Sequence, residues 1–281
     1  MQYLEILPGI RSSQLGMGCS SMMGSIGRAQ SLRALEVAFE NGINHFDVAR
    51  SYGFGEAEGL LGAFIKDKRD KVVITTKFGI LPQSRVIVSK WLKPVARSII
   101  TTIPILHPMI SSLAATSLRA GNYDPAGMKA SIEESLKQLA VDHIEYLMFH
   151  ELPPDFEVAN STANELEILK RRGLIRGWGI SGRLNIIRQF IAHVEQQPDL
   201  LQIHCSVEDS EYPEIRALPS LPKIICGPFG GKMTTAKPDN KTRFSATLRK
   251  VVSDHPESVV ICTMINPSHI LHNVDALNDQ G

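Results

Sequence analysis

Eight short apolar segments alternate with longer helical patterns along this 281-residue chain, and no other feature constrains its fold as strongly. The apolar segments occupy residues 15–19, 43–47, 72–77, 144–150, 175–180, 200–205, 223–227 and 258–263. The helical patterns occupy residues 30–41, 56–66, 125–139, 161–172, 184–196, 242–253 and 267–277, with a helical turn near Glu211. Short apolar strands that alternate with helices are typical of parallel βαβ units.

Eight such units in one chain favour a closed barrel, so we predict an α/β fold, a single-domain (β/α)8 TIM barrel over residues 1–281. The alternative is a doubly wound open sheet. Its usual G-x-G-x-x-G sequence does not follow the first strand, and the barrel is therefore favoured.

A long insertion of about 45 residues, 79–123, separates the third strand from its helix. It contains five Lys or Arg residues and no Asp or Glu. Long loops at this end of a barrel usually shape the active site, which favours a substrate lid whose cations would suit an anionic substrate. A docking surface for an acidic protein and an ordinary solvated loop are the two other interpretations.

Charge and cysteine content argue against several classes of protein. Thirty Lys and Arg against 29 Asp and Glu leave a net charge of +1, so no nucleic acid partner is expected. Four isolated cysteines predict reduced thiols in a cytoplasmic protein without a metal site. The N-terminus has no apolar signal core, and the uncharged stretch 98–118 contains two prolines. We therefore expect neither secretion nor stable membrane insertion.

Four polar residues follow consecutive strands at the end where barrel enzymes place their active sites. They are Asp47, Tyr52, Lys77 and His150. A tyrosine hydroxyl is a poor acid at neutral pH until a nearby ammonium lowers its pKa, and a lysine held by an aspartate can do so. A histidine can hydrogen-bond a substrate oxygen on which negative charge develops.

The segment from Asn44 to Gly53, with Glu56 after it, resembles the D-x-A-x-x-Y-G signature of the aldo-keto reductase family. Lys77 matches the lysine of the family's third strand, and His150 matches the histidine of its fourth. The resemblance covers nearly the whole chain. It implies a catalytic tetrad in which Tyr52 donates a proton, Lys77 and Asp47 tune the pKa of that tyrosine, and His150 orients the carbonyl group.

The resemblance extends to segments that bind the nicotinamide cofactor in this family. Ser181 and Gln202 correspond to residues that hold the nicotinamide amide, and Asn273 resembles the Asn that contacts adenine. Residues 227–232 resemble the loop around the pyrophosphate, where glycines allow close backbone approach to phosphate. The implied cofactor contacts are Gly18, Ser181, Gln202, Gly227, Pro228, Phe229, Gly230, His269 and Asn273.

The cofactor segments also depart from the family's pattern. Gly182 stands where Asn is usual, and Cys205 stands where an aromatic residue stacks on the nicotinamide. After the eighth strand, residues 263–266 include no cation, and the next helix has His269 and His272 where Arg is usual. An imidazole holds a 2′-phosphate less well than a guanidinium. NADPH is therefore the expected cofactor, with NADH as the open alternative.

These observations predict an NAD(P)H-dependent oxidoreductase that reduces a small aldehyde or ketone, such as a sugar or an anionic carbonyl compound, to an alcohol. The alternative is a regulatory protein or pseudoenzyme that binds the cofactor on the same fold without turnover. The intact tetrad favours an enzyme. Gly182, Cys205 and the missing cations favour the alternative.

Overall fold

The computed structural model describes residues 1–82, 121–153, 157–230 and 240–278. Its strands are β1 (Tyr3–Leu7), β2 (Ile10–Ser13), β3 (Leu15–Gly18), β4 (His45–Asp47), β5 (Val73–Phe78), β6 (Ile144–His150), β7 (Ile175–Gly182), β8 (Leu200–His204), β9 (Lys223–Cys226) and β10 (Val259–Cys262). Its α-helices are α1 (Arg28–Glu40), α2 (Ala57–Ile65), α3 (Pro125–Leu139), α4 (Glu157–Arg171), α5 (Leu184–His193), α6 (Asn240–Asp254) and α7 (Pro267–Asn278). Shorter 3-10 helical segments are Tyr52–Gly55, Arg69–Lys71 and Tyr212–Ala217.

Strands β3 to β10 form a closed parallel barrel in which β10 pairs with both β9 and β3. The predicted barrel is therefore confirmed, and each predicted strand agrees with an observed one to within about two residues. Most of the predicted insertion, residues 83–120, lies outside the described residues. Its interpretation as a lid, a docking surface or a plain loop stays a prediction.

The helices begin and end for local reasons. Asp124 caps α3 by accepting a hydrogen bond from the Gly127 amide at 2.6 Å, and Pro125 occupies the first helical position, as the sequence predicts. Helix α5 ends three residues earlier than predicted, because Val194 has an extended backbone. No helix in the described ranges is long and apolar enough to cross a membrane, and residues 98–118 lie outside those ranges.

The barrel strands separate two apolar layers. Outward-facing residues such as Phe46, Phe149 and Trp178 pack against the surrounding helices. A smaller interior cluster, which includes Tyr146 and Ile224, fills the barrel. Because successive side chains of a strand alternate between these two layers, a polar residue at a strand end faces either the barrel interior or the surrounding helices, and only residues of the first kind can meet at the end of the barrel.

The N-terminal hairpin of β1 and β2 is an element that the sequence analysis missed. Its strands pair antiparallel, and Gly9 adopts a φ of 77° in the turn between them. Ile6 and Leu7 join the interior cluster of the barrel. The hairpin therefore closes the end of the barrel opposite the predicted site, which leaves the carboxyl ends of the strands as the open end.

Candidate active site

The register of the parallel strands gathers the predicted site residues at one end of the barrel. Asp47 lies beside Gly18 on one neighbouring strand and beside Thr75 on the other. His150 lies beside Ser181, which in turn lies beside Gln202. The carboxyl ends of β3, β4, β7, β8, β9 and β10 border a cleft of about 1020 Å³. This is the face on which barrel enzymes carry their active sites.

Asp47 and Lys77 form a buried ion pair beneath this cleft. The Lys77 Nζ donates to Asp47 Oδ1 at 2.5 Å, and the two side chains are 0% and 6% exposed. The same ammonium donates to the Val48 carbonyl at 3.2 Å and to the Tyr52 hydroxyl at 3.4 Å. Burial alone would lower the pKa of Lys77, but the Asp47 carboxylate, together with Tyr52 and Cys226, offsets burial and holds that pKa above its ordinary value. Lys77 is therefore a permanent cation next to Tyr52.

Tyr52 reaches Lys77 from a tight 3-10 turn, Tyr52–Gly55. Gly53 has a φ of 59°, and a Cβ on it would lie 2.4 Å from the Met22 carbonyl oxygen, so only glycine fits there. Burial raises the pKa of Tyr52 to about 12, while the Lys77 ammonium acts in the opposite direction. Lys77 thus acts on this pKa in the predicted direction, but the net pKa of Tyr52 stays above its usual value because desolvation of the phenolate outweighs the attraction.

His150 lies at the end of β6 with its ring 5.8 Å from the Tyr52 ring, in an edge-to-face arrangement. Burial, and then the charge of Lys77, lower the pKa of His150 to about 3. The imidazole is therefore neutral at physiological pH. Its Nδ1 is buried and has no hydrogen-bond partner among the described residues. Tyr123 holds the backbone of this strand end by donating to the His150 carbonyl at 2.7 Å.

The residues expected to contact a cofactor fall into two groups. One group lines the cleft: Gly18, Gly227, Pro228, Phe229, Gly230 and His269. Ser181 and Gln202 are fully buried and do not line the cleft. Asn273 lies one helical turn beyond His269, is also buried, and donates to Met264 Sδ at 3.2 Å, so the structure does not bring its side chain into the cleft wall.

A hydrogen-bonded chain, Ser181–His204–Glu151, borders the cleft and was missed by the sequence analysis. His204 Nε2 lies 3.1 Å from Ser181 Oγ, and His204 Nδ1 lies 3.4 Å from Glu151 Oε1. The bond to His204 lowers the pKa of Glu151. Glu151 has a φ of 49°, unusual for a residue other than glycine. A two-residue spacing from Gln202 was the only sequence signal that placed His204 on the interior face.

The cysteines are buried packing residues or partners of other groups. Burial raises the pKa of all four thiols, that of Cys205 to about 11. Cys226 accepts a hydrogen bond from Gln202 Nε2 at 3.1 Å. Such thiols are poor nucleophiles at neutral pH. Within the part of the chain that the structure describes, no cluster of three His, Cys, Asp or Glu residues is arranged to hold a metal ion.

Comparison with known proteins gives a consistent result. The model of the Aldo/keto reductase family matches residues 14–218. D-threo-aldose 1-dehydrogenase of Pseudomonas sp is 30% identical over 185 residues, which cover 63% of this chain and 52% of that protein. Pyridoxal 4-dehydrogenase of Microbacterium luteolum is 24% identical over 260 residues, covering 84% and 72%. NADH-specific methylglyoxal reductase of Escherichia coli is 26% identical over 210 residues, covering 71% and 57%. The chain spans about half the length of the first and third of these relatives.

Solved structures share the barrel. The aldo-keto reductase from Bacillus halodurans in its holo form superposes with a TM-score of 0.71 at 19% identity, over 98% of this chain and 90% of that one. The enzyme from Klebsiella pneumoniae in complex with NADP and acetate superposes with a TM-score of 0.68 at 19% identity, over 98% and 89%. At this level of identity the likeness concerns the fold.

Proposed function

The chain belongs to the aldo/keto reductase family, and we propose that it is an oxidoreductase that reduces a small aldehyde or ketone to an alcohol with a nicotinamide dinucleotide, or catalyses the reverse oxidation. The observation that carries this proposal is the buried Asp47–Lys77–Tyr52 contact chain beside His150. Protonation of a carbonyl oxygen requires a proton donor and a group that orients the oxygen. The tyrosine next to a permanent ammonium would be the donor, and the neutral imidazole would orient the oxygen.

The cleft offers features that suit a dinucleotide. No atom lies within 4 Å of the position that a Cβ on Gly182 or Gly227 would take, so the wall is open at both points. Gln202 Oε1 is a buried acceptor without a partner among the described residues, and a carboxamide N–H would satisfy it. Residues 227–230 would therefore hold the phosphates, whereas Ser181 and Gln202 are fully buried and would reach the nicotinamide amide only if the adjoining cleft wall opened to them. When bound, the reduced nicotinamide supplies a hydride for the carbonyl carbon.

The chain's own residues then manage the charge on the substrate oxygen. His150, being neutral, carries an N–H with which it can hydrogen-bond that oxygen and orient it. Tyr52 transfers its hydroxyl proton to the same oxygen as the negative charge develops. The tyrosinate left behind is stabilised by the Lys77 ammonium at 3.4 Å, and Asp47 keeps that ammonium in place. In the reverse reaction the same groups accept the proton of an alcohol.

We propose that the protein uses NADPH and also accepts NADH. Arg183 is the only Lys or Arg that lines the cleft within the described part of the chain, and it follows β7. The segment after β10 contributes Thr263 and Ile265 to the cleft wall, and α7 contributes His269. None of them is a guanidinium fork for a 2′-phosphate. One relative is NADH-specific according to its name.

For the substrate we propose a hydroxylated carbonyl compound such as a sugar, in preference to an anionic one. The Glu151 carboxylate lines the cleft, where the His204 imidazole holds it, and its oxygens can accept hydrogen bonds from hydroxyl groups. A carboxylate beside the substrate would repel an anion. We place the reaction in the cytoplasm, in keeping with the free cysteines in the structure.

The proposal is tested by titrating the purified protein with NADPH and NADH, followed by tryptophan fluorescence and thermal shift. Aldoses, small ketones and carboxylated aldehydes are then assayed through the absorbance of the reduced nicotinamide. We expect Tyr52→Phe to retain dinucleotide binding and to lose about 100-fold or more in kcat, the usual contribution of a positioned general acid.

Tyr3→Phe is the matched control, because Tyr3 donates to the Gly42 carbonyl at the closed end of the barrel. It is expected to leave both binding and turnover unchanged. A Tyr52→Phe protein with wild-type turnover would refute the role of Tyr52. Absence of binding for both dinucleotides would refute the proposed reaction and favour a barrel that acts without this cofactor.

A further inference from the structure

Asp47 has a second buried hydrogen-bond donor besides Lys77. Its Oδ1 accepts from Lys77 Nζ, and its Oδ2 accepts from Gln202 Nε2, each at 2.5 Å. The two donors are 125 positions apart in the chain, and Gln202 is fully buried. Because this amide is shielded from water, its hydrogen bond to Oδ2 forms in a region of low dielectric, where such bonds are strong.

The orientation of the Gln202 amide follows from its neighbours. Its two N–H groups point at acceptors, Asp47 Oδ2 and Cys226 Sγ, the latter at 3.1 Å. The flipped amide would place Oε1 against a carboxylate oxygen, so that two acceptors faced each other inside the protein. The Asp47 carboxylate therefore sets the orientation of the amide and directs Oε1 away from itself. That oxygen is the acceptor that lacks a partner among the described residues.

We propose that Gln202 is a positioning residue for proton transfer, acting through Asp47 on Lys77 and Tyr52, an inference that rests on the proposed function. The Lys77 ammonium has three acceptors, of which the Tyr52 hydroxyl is the most distant at 3.4 Å. Without the Gln202 donor, both oxygens of Asp47 compete for the ammonium. A bidentate pairing would draw the ammonium away from Tyr52 and weaken the support for a tyrosinate.

The same side chain also joins two functions. Its Nε2 donates to Asp47, while its buried Oε1 has no partner among the described residues and would accept from a nicotinamide carboxamide once the cleft wall opened to it. A donor bound at Oε1 polarises the amide and strengthens the hydrogen bond from Nε2 to Asp47. Cofactor binding would thereby hold the Asp47 carboxylate, the partner of Lys77, more firmly in place.

A readout that needs no turnover is the side-chain amide signal of Gln202 in a heteronuclear NMR spectrum, identified by its loss in Gln202→Met. A hydrogen bond to a buried carboxylate should shift one of its protons strongly downfield and slow its exchange. We expect Asp47→Asn to move this signal back toward the ordinary range. The control is Tyr146→Phe, which removes a buried hydroxyl without a partner among the described residues and should leave the signal unchanged. A signal indifferent to Asp47→Asn overturns the proposal.

The kinetic readout is the pH profile of kcat. Gln202→Met removes the donor at every pH, and we expect kcat to fall by about 10- to 100-fold throughout, the usual effect of losing a charge-assisted hydrogen bond. Gln202→Glu restores a donor only while the new carboxyl is protonated. Its kcat should therefore approach the wild-type value toward acid pH and decline as pH rises.

The two variants separate positioning from a structural effect. Profiles of the same shape for Gln202→Met and Gln202→Glu overturn the proposal, because loss of packing would not depend on the protonation of the new carboxyl. If the wild-type protein turns over no carbonyl compound, the proposed function fails, and the NMR comparison alone decides whether Gln202 holds Asp47.

Discussion

The buried pair of Asp47 and Lys77 makes a quantitative prediction about stability. Removing one partner of a buried ion pair leaves the other charge uncompensated, which costs about 3–5 kcal/mol. In Lys77→Met, the Asp47 carboxylate retains only the Gln202 amide as a side-chain donor. In Asp47→Asn, the ammonium retains only neutral acceptors, which are the new amide oxygen, the Val48 carbonyl and the Tyr52 hydroxyl. Each single variant should therefore lose about 3–5 kcal/mol of unfolding free energy.

The double variant Asp47→Asn/Lys77→Met contains neither charge, so the second substitution should cost little after the first. We expect its total loss to be smaller than the sum of the single losses by at least about 2 kcal/mol. The measurement is equilibrium urea unfolding of all four proteins, followed by the fluorescence of the buried Trp178. A coupling energy below about 0.5 kcal/mol would contradict the interpretation, since uncoupled sites add to within that amount.

Two further predictions concern the framework of the site. Burial lowers the pKa of His45 to about 4, so this neutral imidazole stabilises the fold fully above its unfolded pKa of 6.5 and progressively less as pH falls toward 4. Between about pH 7 and pH 5, wild type should lose about 2 kcal/mol more unfolding free energy than His45→Gln, and equal losses in urea unfolding would contradict this. A Cβ on Gly62 would lie 2.6 Å from the Leu139 carbonyl oxygen, so Gly62→Ala should cost about 1–3 kcal/mol and lower Tm. The control Gly59→Ala, in the same helix, meets only a movable side-chain oxygen at 3.0 Å, and a comparable loss there would refute the packing argument.

The barrel and the outline of its site could be predicted from the sequence, because both depend on local patterns. Each strand reads as a short apolar run, and parallel pairing brings the ends of such runs to one face. Asp47, Lys77 and His150 each stand at or next to the end of a strand. Their proximity could therefore be predicted without any knowledge of side-chain contacts.

The N-terminal hairpin and the Glu151–His204 pair could not be predicted in this way. The hairpin is too short to show a period of its own, and what stabilises it is its packing against the interior cluster at the end of the barrel that it closes. Glu151 owes its position to a backbone with positive φ, and His204 meets it only after β6, β7 and β8 align. Tertiary contacts, rather than residue types, therefore determine the position of the hairpin and the pairing of Glu151 with His204.

The sequence alone identifies the residue types at the strand ends, but the tertiary structure decides the pKa and the hydrogen-bond partners of each group. The sequence supports a lysine that lowers the pKa of Tyr52, whereas the fold buries the phenol so that its pKa rises to about 12. Gln202 was expected to face a cofactor, and its amide also donates to Asp47, 155 positions away in the chain. The reason is that desolvation and hydrogen-bond geometry depend on distances across the barrel, which strand tilt and register set and which no local pattern encodes.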